Sequence, residues 1–329
     1  MLAQSAQWSD ADGHIRPFQL HRDLDDLATL IEAAFGSELR EAHSHIVRDM
    51  RQMALMGPLL LAAAAVAPFT GFVWIEDGRL VGNVSYGRES GGVAACSISN
   101  VAVLPEFRGR GVASRLLDVT LEHLARRACR RVFLEVRADN EPAKSLYRKR
   151  GFVVYNTVHE QFLSSYSWPV IAGPPSRPVR RVRARDGADL YRLYLSNAPR
   201  AVLRARPLAA EDFGRGLGWR LRRLGRYLTT GERRDEWVGE AEGQVVAFGS
   251  MAAFASRRPW ELDLMVAPEH RGAWERPLLE ALFARRPLGL MADVRATTPA
   301  SHPEAIDALA SLGFKTQRVL DQMVVDVSP

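Results

Sequence analysis

The sequence predicts an α/β chain of two similar domains in tandem. Three observations carry this. Apolar runs of strand length alternate with helical patterns along most of the 329 residues, a length that suits two domains. At Ser97–Ala113, SISNVAVLPEFRGRGVA, a buried-strand run passes through a glycine-rich turn straight into a helix. Finally, four segments of the first half return in the same order in the second.

In the Ser97–Ala113 stretch, Pro105 ends strand pairing because proline has no backbone N–H. Val112, Leu116, Leu117, Val119, Leu121 and Leu124 then supply apolar positions for a helix. Strand, glycine turn and helix N-terminus together make an anion site. Small residues admit close approach, the first N–H groups of a helix lack internal partners, and its dipole favours negative charge. A pyrophosphate is the natural guest. The spacing is not a Walker loop, since no Gly-Lys-Ser/Thr follows, and it is not the Gly-x-Gly-x-x-Gly dinucleotide fingerprint.

Arg/Gln-x-x-Gly-x-Gly/Ala after a VAV strand resembles the motif that holds acetyl-CoA in the GCN5-related N-acetyltransferases (GNAT). Arg108, Gly111 and Ala113 fit it, and LEVRADNEPAKSLYRKRGF, Leu134 to Phe152, matches the family's next strand and helix. The resemblance implies, for each domain, a mixed, mostly antiparallel twisted sheet flanked by helices. It implies acetyl-CoA as co-substrate, an amine acceptor and no metal. Val101, Ala102 and Val103 would pair with the pantetheine. Arg108, Gly109, Arg110, Gly111, Val112 and Ala113 would surround the phosphates, and Asn140 would touch the pantetheine arm.

Acetyl transfer to an amine needs a neutral amine, a donor for the developing oxyanion and a proton for the leaving thiolate. With amine pKa values of about 8 to 10.4, reaching the neutral form at pH 7 costs about 1 to 4.5 kcal/mol. Glu135, in LEVR, and Tyr147, in the following helix, resemble the pair in the ribosomal-protein alanine N-acetyltransferases. By that resemblance Glu135 takes the amine proton, directly or through water, and Tyr147 protonates the sulfur. Bland alternatives are a cross-sheet hydrogen bond for Glu135 and a packed aromatic for Tyr147. The earlier strand offers Ser97, Ser99 and Asn100 but no carboxylate, which favours Glu135.

In chain order, residues 1–13 read as an N-terminal tail and 14–168 as the catalytic GNAT domain. His14–Leu20 suits a strand. Asp23–Phe35 reads as an amphipathic helix with Asp23 as cap, and Glu38–Met56 as a second helix. His43 and His45, two apart, do not share a helix face and make no metal pair. Met53–Ile75 carries no charge, but Gly57, Pro58, Pro68 and Gly71 interrupt it. It reads as a helix end, a small-residue segment and a strand. Strands follow at 71–76, 79–86 and 94–103, with a turn at Asp77-Gly78. A helix ends near Arg127, a strand spans 131–137 and a short helix 141–150. Two last strands are expected at 151–158 and 160–167.

Residues 169–178 form a proline-rich linker, and 179–329 a degenerate GNAT-like domain. The tandem layout resembles that of mycothiol synthase. VRRVRARDGADLYRLYL echoes IRPFQLHRDLDDLATLI, and EWVGEAEGQVVAFGSM echoes FVWIEDGRLVGNVSY. LDLMVAPEHRG echoes ISNVAVLPEFRG, and LASLGF echoes LYRKRGF. Trp274 falls on Gly111, Glu275 on Val112 and Leu309 on Tyr147, with Asp293 read as opposite Glu135. Tryptophan blocks close backbone approach and Glu275 brings negative charge, so this half is expected not to bind acyl-CoA.

Net charge is +6, carried almost wholly by arginine. It permits an anionic cofactor without requiring nucleic acid. The run Arg215, Arg220, Arg222, Arg223, Arg226 usually marks a solvated helix face, and no nucleic-acid module accompanies it. Cys96 and Cys129 form no disulfide framework, and the N-terminus lacks a signal-peptide pattern. The expected setting is cytoplasmic, away from membranes, with room for a homodimer. The expected acceptor is a primary amine of a small molecule or a protein N-terminus. The rival reading is a non-catalytic acyl-CoA-binding or assembly module.

Overall fold

The computed structural model describes residues 8–10, 13–41, 47, 50–51, 70–89, 94–254, 258–284 and 292–327. His43, His45 and residues 52–69, with the alanine-rich segment, lie outside the described residues. The chain forms two compact units. The first holds the described residues up to 136, with 141–153 and those from 323 on. The second holds 137–140 and 154–322.

In the first unit, strands run in the order β1 (Trp8–Asp10), β2 (Gly13–Pro17), β3 (Thr70–Glu76), β4 (Arg79–Arg88), β5 (Ala95–Val103), β6 (Arg131–Arg137). All neighbours are antiparallel except β5 and β6, which run parallel. β1 lies in the stretch read as a tail and pairs with β2, Trp8 opposite Ile15. Helix α1 (Leu20–Glu41) runs on through the break expected before Glu38. Asp23 sits inside this helix. Its carboxylate accepts the Gln19 N–H at 2.7 Å and both Arg16 guanidinium nitrogens at 2.6 Å. The β3–β4 hairpin turns at Asp77-Gly78, both in the left-handed region (φ 48° and 75°), where glycine is unstrained. Helix α2 (Val112–Arg126) buries Val112, Leu116, Leu117, Val119 and Leu124 against the sheet, while Leu121 packs half-buried at the margin. Helix α3 (Glu141–Arg148) follows β6 and buries Tyr147.

One expectation fails beyond α3. Residues 151–167 do not make two strands. They make one long strand, β7 (Val153–Leu163), and a 3₁₀ turn at Ser165–Ser167. From residue 154 this stretch belongs to the second unit, where β7 pairs antiparallel with β12 (Val294–Pro299), Leu163 opposite Val294. Its alternation explains the misreading: an 11-residue strand with exposed Val153 and Val154 at its start resembles a strand broken by a turn.

The second unit repeats the pattern. β8 (Val179–Arg181) leads to α4 (Gly187–Asn197), α5 (Arg200–Ala205) and α6 (Leu217–Thr230). Then come β9 (Arg233–Ala241), β10 (Gln244–Ala253), β11 (Trp260–Val266), α7 (Glu275–Phe283), β12, α8 (Pro303–Ser311) and β13 (Lys315–Asp326). Arg180 and Asp186 reproduce the Arg16–Asp23 pair, with the Arg183 N–H on Asp186 at 2.6 Å. Glu242 and Gly243 (φ 52° and 77°) reproduce the hairpin turn, and β11 runs parallel to β12 as β5 does to β6. The proline-rich segment is anchored: Trp168 packs on Phe283 (4.8 Å) and Trp260 (5.7 Å), and the Ser176 N–H donates to Glu280 at 2.7 Å. β13 is shared by residue. Gln322 and Asp321 bond Asn156 and Thr157, both at 2.8 Å, in the second unit. Met323 is fully buried in the first unit's core, where the Val327 N–H reaches the Arg130 carbonyl at 2.9 Å.

Candidate active site

The site is built on β5 and the turn that follows it. β5 carries an extra residue against β4. Asn83 faces Ala102 and Ser85 faces Ser99, so two steps on β4 match three on β5. The bulge is at Asn100, whose φ of 51° asparagine tolerates better than most residues. Buried Asn83 holds it, its amide donating to the Asn100 carbonyl at 3.0 Å and to Ser85 at 3.1 Å. The β5–β6 ladder pairs Ala95–Ser97 with Arg131–Phe133 and goes no further. Beyond it, Val101, Ala102 and Val103 lie on β5 outside that ladder. This leaves a wedge beside β5 suited to a strand-like guest.

After β5 the chain makes a 3₁₀ turn at Pro105–Phe107 and reaches Arg108. Arg108 Nε donates back to the Val103 carbonyl at 3.2 Å. Arg110 lies over the Phe107 ring at 4.9 Å and pairs with Glu76 at 3.2 Å. Gly109 and Gly111 hold φ of 78° and 83°, with open space where a Cβ would stand. Gly111 caps α2 and, having no side chain, gives the helix's first N–H groups no side-chain cap. Val112 turns its side chain into the core, and Ala113 packs at its edge. The first turn of α2 therefore presents backbone donors and no competing carboxylate, the arrangement a pyrophosphate requires.

Tyr147, on α3, is in the same hydrophobic cluster as Ala102, Val103 and Val112, and meets Phe152 edge-on at 5.9 Å. Burial pushes its phenol up to about 12. Among the described residues none hydrogen-bonds its hydroxyl. Glu135 is exposed on β6 between buried Leu134 and Val136. Asn140 closes the turn after β6 with its N–H on the Arg137 carbonyl at 3.0 Å, and it groups with the second unit. Cys96 and Cys129 are buried, and burial raises the Cys96 thiol to about 12. Among the described residues, no group of three or more His, Cys, Asp or Glu stands in metal-binding array.

The second unit differs at each of these points. β11 pairs with β10 without a bulge, Ala247–Ala252 against Val266–Glu261. Trp274, in the place of Gly111, turns inward and packs on Gly239, where any Cβ would meet the indole at 2.3 Å. Glu275 folds back over its own helix N-terminus. Its carboxylate accepts the Trp274 N–H at 3.3 Å and the His302 ring nitrogen lies 2.7 Å away. Burial pushes this carboxyl up. The bonds to His302 and to the backbone of Glu275 and Gly272 outweigh burial and hold it below the usual carboxylate range. The donors that would meet a phosphate thus already meet a carboxylate. Arg271 is also tied down, to the Ser301 carbonyl at 2.6 Å and Asn197 at 3.2 Å. Leu309 stands in the place of Tyr147, each accepting the N–H of the phenylalanine five residues on at 3.2 Å.

Asp293 is not the counterpart of Glu135. It precedes β12, its carboxylate accepting the Ser165 N–H at 2.9 Å. The strand registers place Thr297 opposite Glu135's position, because Ser97↔Phe133 corresponds to Glu261↔Arg295. Sequence reasoning also missed Asn83. A polar residue inside the apolar run LVGNVSY was the available signal.

Residues 28–152 match the acetyltransferase (GNAT) family. N-alpha-acetyltransferase 30 of Schizosaccharomyces pombe is 29% identical over 99 residues, 30% of this chain and 66% of its own length. A putative ribosomal protein bS18-alanine N-acetyltransferase of Bacillus subtilis is 41% identical over 54 residues, 16% of this chain and 36% of its own. This chain thus spans less than two thirds of either relative. Among solved structures, a GCN5-related N-acetyltransferase from Sphaerobacter thermophilus matches with a TM-score of 0.65 at 17% identity, covering 98% of both chains. A tandem GNAT protein from the clavulanic acid biosynthesis pathway matches with a TM-score of 0.54 at 17% identity, covering 97% of this chain and 99% of its own. The bulged strand, the glycine turn and the helix it opens all lie within the segment that matches the GNAT family, and the fold of the chain resembles that of a tandem GNAT protein.

Proposed function

We propose that the chain is an acetyl-CoA-dependent N-acetyltransferase that acts on a primary amine, working in its first unit (the described residues up to 136, with 141–153 and those from 323 on), while the second unit is non-catalytic. The observation that carries this is the contrast at two helix N-termini. α2 opens behind Gly111 with no side-chain cap and no acidic residue in its first turn, whereas α7 opens on its own Glu275 carboxylate. When bound, acetyl-CoA supplies an activated acetyl group on a thioester.

The chain's residues do the rest. The backbone of Gly109, Gly111, Val112 and Ala113 holds the phosphates, and Arg108 and Arg110 add positive charge there. The edge of β5 at Val101–Val103 aligns the pantetheine and offers an N–H to the carbonyl oxygen as charge develops on it. Glu135 takes the proton from the attacking amine, directly or through water. Tyr147, kept protonated by burial, gives its proton to the leaving sulfur. The acceptor is a small-molecule amine or the α-amine of a protein N-terminus; one relative is named an N-alpha-acetyltransferase and the other a putative ribosomal protein bS18-alanine N-acetyltransferase.

Calorimetric titration of acetyl-CoA into the intact chain and into Gly111→Trp tests the reading. One site per chain, lost in the variant, is expected. A surviving site or two sites would overturn the one-domain assignment. Binding without turnover on any amine would replace it with a non-catalytic acyl-CoA-binding module.

A further inference from the structure

The second unit gathers three arginine-rich segments that the acetyl-transfer reading leaves unused: the end of β8, the start of α6 and the start of β9. They line a cleft of about 170 Å³ with Arg181, Arg183, Arg215, Arg223 and Arg234 around a single carboxylate, Glu236. We propose that this cleft binds a small, multiply charged oxyanion, a phosphomonoester or diphosphate group of a soluble ligand.

The charges in the cleft do not cancel. Glu236 is buried and engaged by Arg215 at 2.9 Å. Arg181 pairs with Asp235 at 2.5 Å, and Arg234 with Glu232 at 3.3 Å. Among the described residues, no carboxylate forms a close ion pair with Arg183 or Arg223, although Arg183 is near enough to Glu240 to help lower its carboxyl. Arg223 donates only to the Arg234 carbonyl at 2.9 Å. Arg223 therefore lines the cleft with no carboxylate paired to it and Arg183 with only the longer-range pull of Glu240, and a dianion answers both.

The donors are also held in place. Trp219 lines the cleft, with the Arg215 guanidinium 4.9 Å and the Arg223 guanidinium 5.1 Å from its ring centre. The Arg215 Nε is buried with no hydrogen-bond partner. Burial also holds its guanidinium below the ordinary value, against the pull of Glu236. A buried charged donor without an acceptor is costly, and an oxyanion in the cleft is an acceptor of the right kind. Guanidinium forks match the paired oxygens of phosphate and carboxylate alike, and the excess of positive charge in the cleft favours a phosphate dianion over a lone carboxylate. The indole is already taken up by two guanidiniums, so the ligand is read by its charged group and not by a stacked ring. A concave pocket of this size suits a small anion better than the extended backbone of a nucleic acid.

The test uses inorganic pyrophosphate as probe, titrated calorimetrically into the full chain at low salt. The Gly111→Trp background removes the first-domain glycine turn from the count. The unsubstituted chain saturated with acetyl-CoA serves the same purpose if that variant fails to fold. One pyrophosphate site is expected in either. Adding Arg183→Gln and Arg223→Gln should weaken it at least about tenfold, with Arg→Lys replacements retaining part of the affinity. Acetyl-CoA binding should be unaffected by these exposed substitutions. Absence of binding, or an affinity indifferent to the double glutamine variant, overturns the proposal. So does a single-stranded RNA 12-mer that binds through these arginines when pyrophosphate does not.

Discussion

The turns after β5 and after β11 start alike and end differently. In both, the residue before the proline closes back on the sheet. The Leu104 N–H reaches the Val81 carbonyl, and the Ala267 N–H the Val246 carbonyl, each at 2.9 Å. In both, a 3₁₀ turn follows and delivers an arginine. Then one turn meets Gly111 and stays open, and the other meets Trp274 and closes on itself. The scaffold of an anion site is thus separable from its vacancy. Two adjacent residues decide which state the scaffold takes. Tryptophan redirects the chain into the core, and glutamate supplies an internal anion.

Substitutions can break this contrast. Gly111→Trp is expected to have the largest effect. It places a bulky side chain at a left-handed φ and should reduce acetyl-CoA affinity by about a hundredfold or more, read by calorimetry. Trp274→Gly should leave acetyl-CoA affinity unchanged. Tyr147→Phe should lower turnover by about a hundredfold or more with acetyl-CoA affinity intact. With the phenol at about 12, the wild-type rate should show no alkaline loss from Tyr147 below about pH 10.

Glu275→Gln should sharpen the comparison from the other side by costing about 1–3 kcal/mol of stability in thermal or denaturant melts. A carboxyl depressed in the folded state stabilises above its unfolded value of 4.5 and ceases to do so as pH falls through its folded value. The gap between wild type and Glu275→Gln should therefore be full near neutrality and shrink below pH 4.5. The smallest effect belongs to the bulge. Asn100→Val should cost about 1–2 kcal/mol and raise KM for acetyl-CoA, while Asn100→Gly should be tolerated.

Much of the site was legible because it is local. The run from Val101 to Ala113 puts strand, turn and helix in one stretch, and its glycines and apolar spacing speak for themselves. Trp274 and Glu275 were equally readable as obstacles. The way Glu275 obstructs was not, because His302, its partner, lies 27 residues away and is joined to it only by the fold. The bulge was hidden for the same reason: it is a count of Asn83–Ser85 against Ser99–Ala102, visible only when the strands are paired. Asp293 misled because ADVR looks like LEVR, whereas strand register aligns Glu135 with Thr297. The fate of β7 was out of reach, since an alternating strand does not reveal which neighbour it will pair with.

That last point bears on how the protein is made. Met323 and Val327 complete the first unit's core and its bond to Arg130, yet residues 154–322 come between them and Phe152 in the chain. On the ribosome, the half that carries the proposed chemistry cannot finish folding when its own contiguous sequence has emerged. Its last core residue arrives only after residues 154–322 are made, so a chain cut after residue 178 lacks both Met323 and the Val327 bond to Arg130.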